Sequence, residues 1–402
     1  MVVKAALTLA LLASSAEAFN HALTRTRTAS PRRLHALSRQ RLAPIASVTA
    51  SAPAATSRGA PGTADLPWED LGFEFRETRS HMKFTYKDGK WDGGELVEGE
   101  PYIKLHIANT ALHYGQSVFE GMKAFAWEDG SVHIFRPDEN CARMTNSANR
   151  IMMPMLEEAT FVEGVSKVVA DNRDYVPAYG SGGALYIRPI LFGSGARIGL
   201  SPADEYTLLI MVIPVGNYYK DGMSPVPAIV VEGFDRAAPQ GVGDVKCAGN
   251  YAADLYPNQK MKSEGFPISL YLDARTHTKV EEFSTSNFFG ITKDGTYVTP
   301  KSPAVLPSIT NKSLMQLAES KGRKVERREV PITEVFDGAF TEVAACGTAV
   351  VLTPIASITK NGEEQLINKE VGPVCQELYD SLRAIQVGDE PDPFGGTWTV
   401  EV

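Results

Sequence analysis

Cysteine is scarce in this chain of 402 residues: Cys141, Cys247, Cys346 and Cys375 are widely separated and form no CxxC pair. That spacing excludes a disulfide framework and a cysteine-based zinc site, and leaves each thiol as a small apolar side chain. No basic run occurs after Ala64, and the formal charge of −8 conceals a still more acidic body behind a basic start. A nucleic-acid-binding surface is therefore not expected. Internal repeats are absent, as are the regular βαβ rhythm and the Gly-rich fingerprint of a dinucleotide fold. Beyond the short apolar run near the start, no stretch reaches membrane-spanning length. What is there, 43% apolar and 22% charged residues, suits a globular chain of about two packed domains.

The basic start reads as an address. After Lys4 comes AALTLALLA, too short for a permanent membrane helix, then AEA, a small-residue cleavage signal after Ala18. Residues 19–64 open on Phe19, are rich in Arg, Ser, Thr and Ala, and contain no Asp or Glu. This composition suggests a transit peptide behind a signal peptide of about residues 1–18, similar to the bipartite leader of algae with secondary plastids. A mitochondrial leader or simple secretion are the alternatives.

The body mixes helix and strand signals. GMKAFAWEDGSVHIFRP carries Asp129-Gly130 between two apolar runs, a hairpin signal. Helical spacing of Cys141, Met144, Ala148 and Ile151 predicts a helix from Asp138 to Met153. ALYIRPILF and YTLLIMVIPVG read as strands. A Gly/Pro-rich connection then predicts a linker at 219–227 between a small α/β domain at 65–218 and a larger domain at 228–402. In the second half AIVVEGF, ISLYLDA, NFFGIT and TYVTP read as strands, with helix patterns near Lys312–Lys321 and Val371–Ile385. The fold class is mixed α/β (α+β).

In GVGDVKCAGNYAADL, Lys246 stands among glycines that permit close approach, with Asn250 and Tyr251 just after it. Most lysines are solvated, but one in a desolvated pocket loses its proton readily and attacks carbonyls. Pyridoxal phosphate needs such a lysine, a partner for its ring nitrogen and a phosphate cradle. VEEFSTSNFFGIT offers Glu281 and Glu282 for the first of these partners. LPSITNKSL offers a helix entrance at Ser308–Thr310 for the phosphate, and AACGTAVVLTP a Gly-Thr-Ala turn for an anion. Taken alone, the acidic pair also suits an exposed turn, and the helix entrance suits simple capping.

Together HYGQSVFEGMKAF, FRPDENCARM, ALYIRPILFG, GDVKCAGNYAADL, EEFSTSNFFGI, LPSITNKSL and GTAVVLTP resemble the class IV pyridoxal-phosphate aminotransferases, closest to the branched-chain amino acid aminotransferases. The resemblance runs from about Phe73 to about Arg383. It implies fold type IV, with a small N-terminal α/β domain and a larger C-terminal domain whose strands form a pseudo-barrel. It also implies reversible, ping-pong amino transfer between L-leucine, L-isoleucine or L-valine and 2-oxoglutarate. Lys246 would be the Schiff-base lysine and proton shuttle. Glu282, five positions before Asn287, would hold the pyridine nitrogen. Arg143, Ile309, Thr310 and Thr348 would hold the phosphate, with Tyr251 flanking the cofactor. The backbone of Thr348 and Ala349 and the Tyr114 hydroxyl would take the substrate α-carboxylate. Phe119, Tyr186 and Tyr251 would wall the side-chain pocket, and Arg188, on the same strand face as Tyr186, would meet the glutamate side chain.

In this family the loop GSGARIGLS, with Ile198 and Leu200, reaches the partner subunit's site, which implies a homodimer. Two departures stand out. Val350 follows the Gly-Thr-Ala turn where a redox-sensitive form has cysteine, and Cys247 beside the lysine carries no assigned role. D-amino acid aminotransferases and aminodeoxychorismate lyase share the fold; the EGMKAF segment and the Tyr186–Arg188 pair favour the branched-chain reading. A catalytically silent binding protein is disfavoured by the intact Lys246, Glu282 and Arg143.

Overall fold

The computed structural model describes residues 58–219 and 222–402. The expected leader lies outside the described residues up to position 57, as do positions 220 and 221 of the expected linker.

Two nine-stranded sheets organise the chain. The first is antiparallel throughout and follows the order Thr399–Glu401, Val132–Phe135, Met122–Ala126, Ala184–Gly193, Tyr206–Val215, Ser80–Lys87 and Lys90–Trp91. The hairpin read around Asp129-Gly130 is its Met122–Ala126 and Val132–Phe135 pair, with Gly130 in the left-handed region at φ 83°. Helices Pro137–Arg150 and Glu158–Asp171 cover one face, burying Met144, Ala148, Phe161, Val165 and Val168 against Leu185, Ile187, Leu208 and Ile210. Each fully buried side chain of this size contributes about 1.5–3 kcal/mol.

A proline shapes this sheet where it matters for function. Ala184–Gly193 pairs with Met122–Ala126 at one end and with Ser117–Phe119 at the other. Between these two pairings lies Pro189, which has no N–H for a ladder bond. Opposite it, Glu120 and Gly121 leave the strand path, the Glu120 N–H donating to the Pro189 carbonyl at 2.9 Å. The interruption turns the Glu120 carboxylate into the interior.

In the second sheet, Val280–Phe283, Ile268–Leu272, Val226–Val230, Val351–Lys360, Phe340–Gly347 and Ser286–Thr292 are successive neighbours, and Val280–Phe283 pairs again with Ser286–Thr292. Six strands thus close into a barrel, mixed in direction because Val226–Val230 lies parallel to both its neighbours. Closure leaves these six strands no free edge. Its interior is filled by side chains such as Phe283, Phe288, Val298, Val343 and Ile355.

Among the described residues, two long helices went unread in the sequence, besides the short Thr110–Tyr114 and Ile332–Phe336. Glu158–Asp171 is regular. Ala248–Ser263 contains Pro257 and has apolar residues scattered around its circumference, so neither the pattern nor the proline announces it. The predicted Asp138–Met153 helix ends earlier, at Arg150. The last strand, Thr399–Glu401, crosses back to pair with Val132–Phe135.

Candidate active site

Lys246 sits just ahead of helix Ala248–Ser263 and is held by its backbone on both sides. Its N–H donates to Ser147 Oγ at 2.9 Å, and its carbonyl accepts from the Phe119 N–H at 3.2 Å. The side chain runs between aromatic rings, Nζ 4.7 Å from the Phe119 centroid and 5.0 Å from that of Tyr251, and donates to Tyr251 Oη at 2.8 Å. Burial, then the nearby Arg143 charge, brings its ammonium down to about 7 against the pull of Glu120. A lysine so placed is a neutral amine over much of the physiological range.

The cavity around Lys246 is lined by Arg143, Arg236, Tyr251, Glu282, Asn287 and Thr348. Glu282 is 3% exposed. One oxygen takes the Arg236 guanidinium and the Leu306 N–H at 3.0 Å, and the other takes Asn287 Nδ2 at 2.8 Å. Burial lifts its carboxyl to about 7, against the opposing pull of Arg236, the Leu306 N–H and Asn287. A carboxylate has about four acceptor positions, so one stays open on the oxygen that Asn287 shares. Its neighbour Glu281 accepts from Ser302 Oγ at 2.6 Å and is not among the cavity's lining residues.

Arg143, on Pro137–Arg150, is also buried. Its Nε and one terminal nitrogen fork onto Glu120 at 2.7 Å each, and the other terminal nitrogen donates to the Pro307 carbonyl at 3.1 Å. Glu120 is fully buried; burial opposes its ionisation, but Arg143, Lys246 and Asn140 outweigh it and hold the carboxyl below its usual range. Of the five guanidinium N–H groups, two remain unspent. Ile309 and Thr310 open helix Ile309–Ser320, capped by Ser308, whose Oγ accepts from the Asn311 N–H at 3.2 Å. Both line a small cavity together with Thr348 and Asn140.

Phe119, Tyr186 and Arg188 form a second cluster beside the lysine. Phe119 meets Tyr251 edge-on at 4.8 Å. Arg188 lies 4.8 Å over the Phe119 ring and donates to Tyr186 Oη at 3.0 Å, and it makes no ion pair among the described residues. Tyr186 is crossed at 4.9 Å by Phe73, and the approach of its hydroxyl to Gly121 leaves no room for a Cβ there. Thr348 and Ala349 form the turn between Phe340–Gly347 and Val351–Lys360. The Thr348 hydroxyl reaches the Gly121 carbonyl at 3.4 Å. Just after the turn Val351 stands at φ 69°, an unfavourable left-handed conformation for a β-branched residue.

Tyr114 is not brought to this group. It ends the short helix Thr110–Tyr114, is half-exposed, donates to the Ile198 carbonyl, and lines a different cleft with Ile151, Leu200 and Cys247. Cys247 is buried in the first core beside Val118, its thiol pushed up to about 11 by burial. Sequence reasoning passed over Glu120, Asn140, Arg236 and Phe73. Glu120 alone left a trace, as a lone acid inside the apolar run VFEGMKAFAW.

Residues 117–358 match the amino-transferase class IV family. The chain is 44% identical over 346 residues to a branched-chain-amino-acid aminotransferase of Haemophilus influenzae, covering 84% of this chain and 99% of that one. It is 41% identical over 345 residues to a chloroplastic branched-chain-amino-acid aminotransferase of Arabidopsis thaliana, covering 84% and 81%. The solved structure of the Escherichia coli branched-chain amino acid aminotransferase superposes with a TM-score of 0.66 at 25% identity, covering 81% of this chain and 99% of that one. This match, with a desolvated lysine facing a buried carboxylate on the barrel wall, makes the chain a member of the class IV aminotransferases.

Proposed function

We propose that the chain is a branched-chain amino acid aminotransferase, moving the amino group between L-leucine, L-isoleucine or L-valine and 2-oxoglutarate. Pyridoxal phosphate is its cofactor. The observation that carries the reading is the presence of Lys246 and Glu282, both desolvated, in the wall of one cavity.

The residues fit the cofactor. Glu282 keeps one acceptor position for a ring nitrogen, Arg143 keeps two donors for a phosphate, and the entrance of helix Ile309–Ser320 with Thr348 completes an anion cradle. When bound, the cofactor supplies an aldehyde that takes up the amino group and a ring that absorbs the electrons released at the α-carbon.

Lys246 Nζ would be both the amine that meets that aldehyde and the base that carries the proton between the substrate α-carbon and the cofactor C4′ carbon, a task suited to a group poised near 7. Tyr251 Oη orients it. Glu282 holds the ring-nitrogen proton, with Arg236 and Asn287 fixing its carboxylate. The backbone N–H groups of Thr348 and Ala349 meet the substrate α-carboxylate. Phe119, Tyr186 and Tyr251 wall the space for an apolar side chain. Arg188, parked on aromatic faces, offers a flat carbon surface to leucine and N–H donors to glutamate.

The acting form is a homodimer. Supporting this, Ile198, Leu200, Ile107 and Leu112 are 60%, 85%, 84% and 67% exposed, an apolar display costly to leave in water. Tyr114, tied to the Ile198 carbonyl, travels with that loop and serves the partner's site. The leader at residues 1–64 delivers the protein to a plastid; its composition and the chloroplastic Arabidopsis relative support this. The chain divides into domains at 65–218 and 228–402 joined by a linker at 219–227; the two separate sheets support this, although Val226 and Pro227 already belong to a strand of the second and Thr399–Glu401 returns to the first.

An amino-donor panel with 2-oxoglutarate on purified residues 65–402 tests the function. L-leucine, L-isoleucine and L-valine should serve; preference for D-alanine, or pyruvate release from aminodeoxychorismate, sinks the reading.

A further inference from the structure

Lys123 is a charged residue in an apolar strand. Met122 and Ala124 on either side are buried at 2% and 0%, and alternation puts Lys123 on the opposite face, directly across the ladder from Tyr186. No carboxylate pairs with it among the described residues. The charge that acts on it is Arg383, also positive, and desolvation followed by that repulsion brings the Lys123 ammonium down to about 7. Lys123 is half-buried, and methionine would fill such a position without the cost of partly desolvating an unpaired cation. The amine makes one contact that accounts for its presence: Nζ donates to the Ala349 carbonyl at 2.6 Å. The Thr348–Ala349 turn precedes the left-handed Val351, a backbone conformation that persists only where its surroundings enforce it. The segment Gly121–Lys123 holds the turn at two points, through Gly121 to Thr348 and through Lys123 to Ala349.

We propose that Lys123 is a positioning residue for substrate: its amine holds the Thr348–Ala349 turn in the shape that receives the α-carboxylate, and in its protonated form it adds to the attraction for that carboxylate. This rests on the reading that Thr348 and Ala349 are the carboxylate site. Every amino acid and 2-oxo acid substrate carries that carboxylate, so the effect of Lys123 is common to all of them, whereas Arg188 acts on the dicarboxylates alone.

The test is calorimetry of 4-methylvalerate, which has leucine's side chain and carboxylate but no amine, titrated into holoenzyme. For Lys123→Met the dissociation constant should rise about tenfold or more, while Lys123→Arg, which keeps charge and donor, stays within about threefold of wild type. KM for L-leucine and for 2-oxoglutarate should rise together in Lys123→Met, with kcat changing less and cofactor affinity, titrated by fluorescence, unchanged. Should Lys123→Met fail to take up cofactor, Lys123→Gln, a neutral donor, carries the same titration, with a rise of about fivefold expected. A variant that binds 4-methylvalerate as wild type does, or a loss confined to 2-oxoglutarate, overturns the role of Lys123 and leaves the carboxylate site standing. Wild-type holoenzyme that neither binds 4-methylvalerate nor accepts L-leucine overturns the site reading, and the role of Lys123 with it.

Discussion

Arg236 and Glu282 form a buried ion pair, their side chains 7% and 4% exposed, at the seam where the barrel closes between Val280–Phe283 and Ser286–Thr292. The guanidinium also donates to the carbonyls of Gly243 and Ala304, at 2.8 and 2.7 Å, so it stays fixed whether or not a ring nitrogen faces the acid. The carboxylate that would hold the cofactor ring is thereby aimed in advance.

Glu282→Gln keeps the shape and removes the charge. The half-reaction with L-leucine, followed by stopped-flow absorbance, should slow by about 100-fold, close to 3 kcal/mol of barrier, while cofactor remains bound. Because Arg236 is left without its anion, the melting temperature should also fall. Glu281→Gln should keep the rate within about threefold, since Glu281 bonds Ser302 and does not line the cavity. A slow Glu281 variant beside a normal Glu282 variant would move the assignment by one residue.

The pH dependence of cofactor uptake follows from Lys246. In the folded, cofactor-free protein its pKa lies at about 7, below the ordinary lysine value, so the neutral amine grows tenfold per pH unit below 7 and saturates above it. Uptake of pyridoxal phosphate, read from its change in visible absorption, should rise to a plateau above about pH 7.5. A rate still climbing at pH 10 means an ordinary lysine. The linkage has the matching sign: the unfolded chain binds the proton more tightly, so this group's contribution to stability rises as pH goes from about 7 toward the ordinary lysine range. Lys246→Ala should bind cofactor without that absorption and should not turn over.

Arg188→Leu separates the two substrate classes. Losing hydrogen bonds to a charged group costs about 1.5–3 kcal/mol, so kcat/KM for 2-oxoglutarate should fall by about 10- to 150-fold, and the L-leucine half-reaction by less than threefold. Equal losses for both would place Arg188 in a structural role.

Leu200→Asp tests the assembly. Leu200 is 85% exposed, so the change costs the single chain little, yet a charge there should disrupt an apolar contact between copies. Light scattering should show wild type at twice the chain mass and the variant shifted toward one chain. An unchanged mass removes that loop from the interface.

Much of the site was legible because local signals carry it: glycines around Lys246, the acidic pair ahead of a strand, a helix entrance at Ser308. Alternation alone put Tyr186 and Arg188 on one face. Arg236 was not legible, since nothing within GFDRAAPQG says that its guanidinium reaches a carboxylate on another strand. Glu120 needed the interruption opposite Pro189, a relation between two strands far apart in the chain. Tyr114 illustrates the opposite limit. Its motif is intact, but the fold places the side chain toward the loop at Ile198, away from Lys246.

The strand Thr399–Glu401 also bears on how the molecule forms. It completes the sheet that supplies Phe119, Tyr186 and Arg188, and the Trp398 carbonyl just before it accepts the backbone N–H of Arg136 at 2.8 Å, at the head of the helix that carries Arg143. During synthesis the early half of the chain therefore waits for residues 398–401 before that edge is covered. Translation order and folding order part company here: the helix Pro137–Arg150 is made about 250 residues before the segment that ties down its head.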